Sequence, residues 1–264
     1  MPSAQTTKGS NPFPMTFPKG PRMPRDDETR TIAFVAYPGL TLLEVVGPMT
    51  AFMGLTRGLV STSREYSTVL VAERVEPVDS DTPMALIPDK AFEEVPDPFA
   101  LVVPGGGLAS LEAMGNERLI NYLRFASYGA ELVGSVSTGA FLLAAAGLLE
   151  GRRAATHPSY ADLLKKLGAN YVQSNWVEDG NFITAAGVSG GIDMALYLVA
   201  RLKNEQQAKS IQTAMEYDPD PPFGGLEKNG GAGGNGLATA LAEHRSDLER
   251  ALANRPDLHQ KLFG

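Results

Sequence analysis

Residues 31–37 read Thr-Ile-Ala-Phe-Val-Ala-Tyr, a near-continuous apolar run closed by Pro38-Gly39. An apolar run without alternation, bounded by turn residues, is the pattern of a strand covered on both faces. Similar short runs at residues 66–72, 84–88, 101–104 and 131–135 predict further strands, with a short one over 154–156. Strands are also predicted at 171–177 and 182–185, joined by Glu178-Asp179-Gly180-Asn181, a hairpin signal. Between these runs the apolar positions switch to the helical period, over 42–55, 110–128, 139–149, 159–167, 187–202 and 205–217. Pro48 lies inside the first helix and predicts a kink or a restart there. Strands alternating with helices predict an α/β fold, a three-layer sandwich with a mostly parallel central sheet, as a single domain over residues 30–225.

The chain on either side follows other patterns. Residues 1–29 hold six prolines and few aliphatics, which predicts a flexible N-terminal arm, or one that packs on a partner subunit through Phe13 and Phe17. Residues 226–264 are expected to form a Gly-rich linker and a short C-terminal helix. Its apolar positions at 237, 241, 248 and 252 would dock on the body or on a partner.

A net charge of −7 argues against a general nucleic-acid binder. No run of 18 apolar residues predicts a membrane span, and no apolar segment near the start reads as a secretory signal, so a cytoplasmic chain is expected. The chain contains no cysteine, which excludes disulfides, thiolate metal sites and iron–sulfur clusters. His157, His244 and His259 are far apart and lack ligand spacing, so neither metal nor other cofactor is expected.

Candidate chemistry gathers at predicted strand ends, where open α/β sheets bind ligands. In Leu132-Val133-Gly134-Ser135-Val136-Ser137-Thr138-Gly139 an apolar strand runs into a helix within about three residues. Ser137 sits at the bend, either as an exposed nucleophile or as an N-cap. Glu44 stands among apolar neighbours, either at a solvated edge or buried with a raised pKa and ready to donate a proton. His157 follows a short strand, as a general base or as an ordinary loop histidine. Gly105-Gly106-Gly107 is either a plain turn or a set of amides that, with the Thr138 amide, builds an oxyanion hole.

Taken together these segments resemble the ThiJ/PfpI superfamily, near the isonitrile hydratases, within the flavodoxin-like, class I glutamine-amidotransferase-like fold. The resemblance rests on Tyr37-Pro38-Gly39, Leu43–Pro48, Val103–Gly106, Ser135–Ala144, Gly147–His157, Ala185–Asp193 and Glu216–Phe223. It implies a homodimer acting on a small-molecule substrate, with Glu44 as the acidic residue and Thr138 orienting substrate. His157 falls where some members keep a histidine. In relatives the elbow carries a cysteine whose thiolate attacks an electrophilic carbon, and hydration of an isonitrile then yields an N-substituted formamide.

Ser137 stands in that cysteine's place, and a serine hydroxyl needs a strong base beside it to attack. Three readings stay open: an engineered Cys→Ser substitution, a natural serine beside a Glu44 that does acid–base catalysis, or a binding protein without turnover. A serine-hydrolase triad is disfavoured, because His244 and His259 lie beyond the glycine-rich stretch. A DNA-binding regulator of the AraC type is disfavoured too, because about 40 Gly-rich residues follow the domain rather than a helix-turn-helix region.

Overall fold

The computed structural model describes residues 29–56, 65–223 and 242–264. The expected N-terminal arm up to residue 28 and the Gly-rich linker lie outside the described residues.

The chain begins with β1 (Arg30–Val35), α1 (Leu42–Thr56) and β2 (Tyr66–Ala72). Three two-residue strands follow, β3 (Val78–Asp79), β4 (Ala85–Leu86) and β5 (Lys90–Ala91), and then β6 (Ala100–Val103). Next come α2 (Leu108–Ala113), α3 (Glu117–Gly129), β7 (Leu132–Val136) and α4 (Gly139–Ala145). The remainder of the body is β8 (Arg153–Ala154), α5 (Ala161–Lys166), β9 (Asn170–Tyr171), β10 (Trp176–Asp179), β11 (Phe182–Ala185), α6 (Gly190–Leu202) and α7 (Glu205–Ala214). Two C-terminal helices, α8 (Arg245–Ala251) and α9 (Pro256–Phe263), complete the described chain.

The main sheet has seven strands in the order β10-β11-β7-β6-β1-β2-β5, all parallel except the β10–β11 hairpin. Every residue of β6 and β7 is buried, as their unalternating apolar runs predict. The chain leaves β1 for β2 on one side and later returns to β6 on the other. The crevice beyond the carboxyl ends of β1 and β6 is therefore a topological switch point, where such sheets bind ligands.

Four predicted elements differ in the structure. The single helix expected over 110–128 is two, α2 and α3, because Asn116 Oδ1 accepts the Leu119 amide at 3.1 Å and starts a new helix. The strand expected over 171–177 is split because its halves pair differently, β9 with β8 and β10 with β11. The run at 84–88 adds only β4, paired with β3 in a hairpin off the main sheet, with Met84 and Ile87 exposed. Helix α1 runs through Pro48 as one span. Gly47 and Pro48 are buried against α6, where a Cβ on Gly191 would stand 2.9 Å from Pro48 Cγ, and this packing holds the turn that lacks a hydrogen bond.

Candidate active site

The last residue of β7 is Val136, and Ser137 turns the chain straight into α4 with φ = 52°. Left-handed backbone is strained for a residue with a Cβ, so the surroundings must impose it. They do so at both ends of the residue. The Ser137 amide donates to Ala185 O of β11 at 2.8 Å, and its carbonyl accepts the Thr156 hydroxyl at 2.8 Å. Two residues on, a Cβ at Gly139 would stand 2.2 Å from Val103 O, so glycine is required for α4 to start this close to β6.

Glu44 comes from the first turn of α1. The Leu42 amide donates to Asp81 Oδ1 at 2.9 Å, and the Thr41 amide donates to Gly105 O at 2.8 Å, which ties the helix start to the triple glycine. The Glu44 side chain turns inward and is 2% exposed. Its Oε2 accepts the Gly105 amide at 2.5 Å, and Ser137 faces the same carboxyl. Burial pushes the Glu44 pKa up to about 7. The bonds from Gly105 and Ser137 oppose that rise, and the charge of Asp81 adds to it.

Thr138 caps α4 but makes no side-chain bond to the helix it opens. Its Oγ1 instead accepts the amides of Gly106 and Gly107, each at 3.0 Å, and lies 2.8 Å from Ser110 Oγ. This corrects the expected oxyanion hole: the amides of Gly105, Gly106 and Gly107 are all engaged, the first holding Glu44 and the other two holding Thr138. The triple glycine is a clamp. A Cβ at Gly105 would lie 2.6 Å from Thr138 Oγ1 and 2.7 Å from Glu44 Oε2.

Ser137, Glu44, Thr138 and the three glycines thus converge, while His157 does not join them. Its ring is exposed, its Nδ1 accepts the Ser159 amide at 3.3 Å, and it packs edge-on to Tyr160. The inward residue of that loop is its neighbour Thr156, fully buried on the elbow carbonyl. His244 and His259 belong to the C-terminal helices, beside Asp247 and Phe263. Residue reasoning passed over Ser110 and Asp81, single polar positions whose partners are distant in sequence. A cleft of about 400 Å³ opens off the ends of β1 and β2, and its lining includes Tyr37 but neither Glu44 nor Ser137.

Residues 30–201 match the DJ-1/PfpI family. The chain belongs to that family. The isonitrile hydratase of Pseudomonas putida is 38% identical over 193 residues, which are 73% of this chain and 80% of that protein. A deglycase of Pyrococcus abyssi is 34% identical over 98 residues, 37% of this chain and 59% of that protein. A ThiJ/PfpI family protein from Pseudomonas syringae shares the fold with a TM-score of 0.74 at 32% identity, over 85% of this chain and 90% of that one. Among the described residues of this DJ-1/PfpI chain, no helix is long and apolar enough to cross a membrane.

Proposed function

We propose that this chain is a small-molecule hydro-lyase that adds water to an isonitrile. In this reading Glu44 donates and accepts the proton, and Ser137 orients rather than attacks. The observation that carries it is the Glu44 carboxyl, buried, held by the Gly105 amide, and poised near neutrality with a pKa of about 7. The similarity to an isonitrile hydratase supplies the substrate class. Ser137 has no hydrogen-bonded base among the described residues other than this carboxyl, which argues against a serine nucleophile.

The steps balance without a covalent enzyme intermediate. The protonated Glu44 carboxyl gives its proton to the terminal carbon of the isonitrile, which becomes electrophilic. Water attacks that carbon and a C–O bond forms while Glu44, now ionised, takes a proton from the water. The imidic acid formed tautomerises to the N-substituted formamide. Net, one water is added and nothing is oxidised.

The test uses the purified chain with one alkyl and one aryl isonitrile, following formamide formation. Turnover is expected, with kcat/KM falling as pH rises through about 7, where Glu44 loses its proton. Glu44→Gln should lower it by about 100-fold or more, and Ser137→Ala should retain part of it. No formamide from the parent, or full turnover by Glu44→Gln, overturns the reading. Turnover that appears only in Ser137→Cys replaces it with the thiolate route.

A further inference from the structure

Three hydroxyl groups lead away from the elbow through the core, and counting donors fixes the direction of every proton among them. Thr138 Oγ1 already accepts two amides, at 3.0 Å each, so its own O–H must donate, and Ser110 Oγ at 2.8 Å receives it. At the far end the Tyr37 hydroxyl lies 2.9 Å from the Pro104 carbonyl, which can only accept, so the Tyr37 proton is committed there. The remaining contact, 2.9 Å between Tyr37 and Ser110, is then made by the Ser110 proton. The order runs one way: Thr138 donates to Ser110, Ser110 to Tyr37, and Tyr37 to Pro104 O. All three side chains are 3% exposed or less, so bulk water offers them no competing partners.

The end of this relay is the peptide group that holds Glu44. The Pro104 carbonyl and the Gly105 N–H belong to one planar unit. The carbonyl accepts from Tyr37, and the N–H donates to Glu44 Oε2 at 2.5 Å. A hydrogen bond at the oxygen of a peptide strengthens its N–H as a donor and fixes the plane in which that N–H points.

We propose that Tyr37 and Ser110 are positioning residues of this site, joining the Thr138 hydroxyl beside the elbow to the peptide that orients the Glu44 carboxyl. Both are buried, Ser110 completely and Tyr37 at 3% exposed, and both act through the groups they bond. The effect on turnover rests on Glu44 being the working acid, whereas the effect on the carboxyl itself does not. Among the described residues, few ionisable groups surround that carboxyl. Helix α1 carries no other, Asp81 faces it from the turn after β3, Tyr37 ionises far above the physiological range because it is buried, and Asp193 on α6 accepts from Tyr217.

The test follows the protonated carboxyl of Glu44 by difference infrared spectroscopy between pH 5 and 9, its band being the one missing from Glu44→Gln. Tyr37→Phe keeps the ring and removes the donor to Pro104. The Glu44 midpoint should rise by about half a pH unit or more, because the Gly105 amide then favours the ionised form less. Ser110→Ala leaves the Tyr37–Pro104 bond but removes the donor to Tyr37, so a smaller rise is expected. Midpoints within about 0.2 unit of the parent in the folded variants, or a fall, overturn the proposal. If Tyr37→Phe does not fold, the absence of a rise in Ser110→Ala is enough to overturn it. A parent chain that makes no formamide sinks the hydration reading, while the infrared midpoints still decide the relay.

Discussion

Glu44 is held in a place that costs the fold stability, and the cost has a sign that can be measured. Its ordinary pKa is 4.5 and burial raises it to about 7 in the folded chain. Between these values the folded protein keeps a proton that the unfolded chain has lost. The contribution of this group is therefore fully present below pH 4.5, falls as pH rises, and levels off above about 7. The difference in pKa bounds the loss at roughly 3 kcal/mol. Glu44→Gln keeps an acceptor for the Gly105 amide and removes the ionisation. It should melt with the parent at pH 5 and above it at pH 8, as read by thermal denaturation at the two values. A gap between the two proteins that does not widen with pH would show that Glu44 is not held against its charge. A widening gap is the result that the proposed acid–base role of Glu44 calls for.

At the scale of elements, the junction between β7 and α4 makes the site. Every backbone group of Ser137 has a partner outside its own element, and this lets the chain hold φ = 52°. The strain can be isolated by comparing two variants that both lack the hydroxyl. Ser137→Gly should be more stable than Ser137→Ala by about 1 kcal/mol, since only glycine takes this backbone freely. Equal denaturation midpoints would show that the elbow is relaxed. The bend itself was legible, because an apolar strand abutting a small-residue helix leaves no room for a longer loop. The convergence of Glu44, the triple glycine and Ser137 was legible too, because a parallel sheet places the loops after its strands at one edge. Bond-level assignments were not. The engagement of the glycine amides by Glu44 and Thr138 depends on long-range partners, and so does the choice of Thr156 over His157 as the inward residue of its loop. The break at Asn116 was hidden for a different reason, since the apolar positions of α2 and α3 continue a single helical period.

At the scale of the whole molecule, the C-terminal residues close the end of the fold opposite the elbow. Leu248, Leu252 and Leu258 are buried in the core of the body, so the tail docks on its own chain. A Cβ on Gly115 would lie 1.8 Å from Ala251 O, which shows how closely α8 approaches the break between α2 and α3. Arg255 sits between the two C-terminal helices and donates to Ala145 O at 2.9 Å and Met114 O at 3.5 Å. These are carbonyls at the ends of α4 and α2, which have no N–H donor within their helices and carry the negative end of the helix dipole. Asp257 pairs with the same guanidinium at 2.9 Å and holds it in place. Arg255 thus grips the far end of the helix whose first turn forms the elbow, about 10 Å away along seven residues. Each buried leucine contributes about 1.5–3 kcal/mol, offset in part by the ordering of the tail. A chain ending at Phe223 should therefore melt about 10 °C lower, and Arg255→Ala about 5 °C lower. Because the tail acts on the fold and not on the carboxyl, the infrared midpoint of Glu44 should stay put in Arg255→Ala while the melting temperature moves. A truncated chain that melts with the parent would mean that the tail leaves the body in solution, and a shifted midpoint would mean that α4 transmits its far end to the elbow.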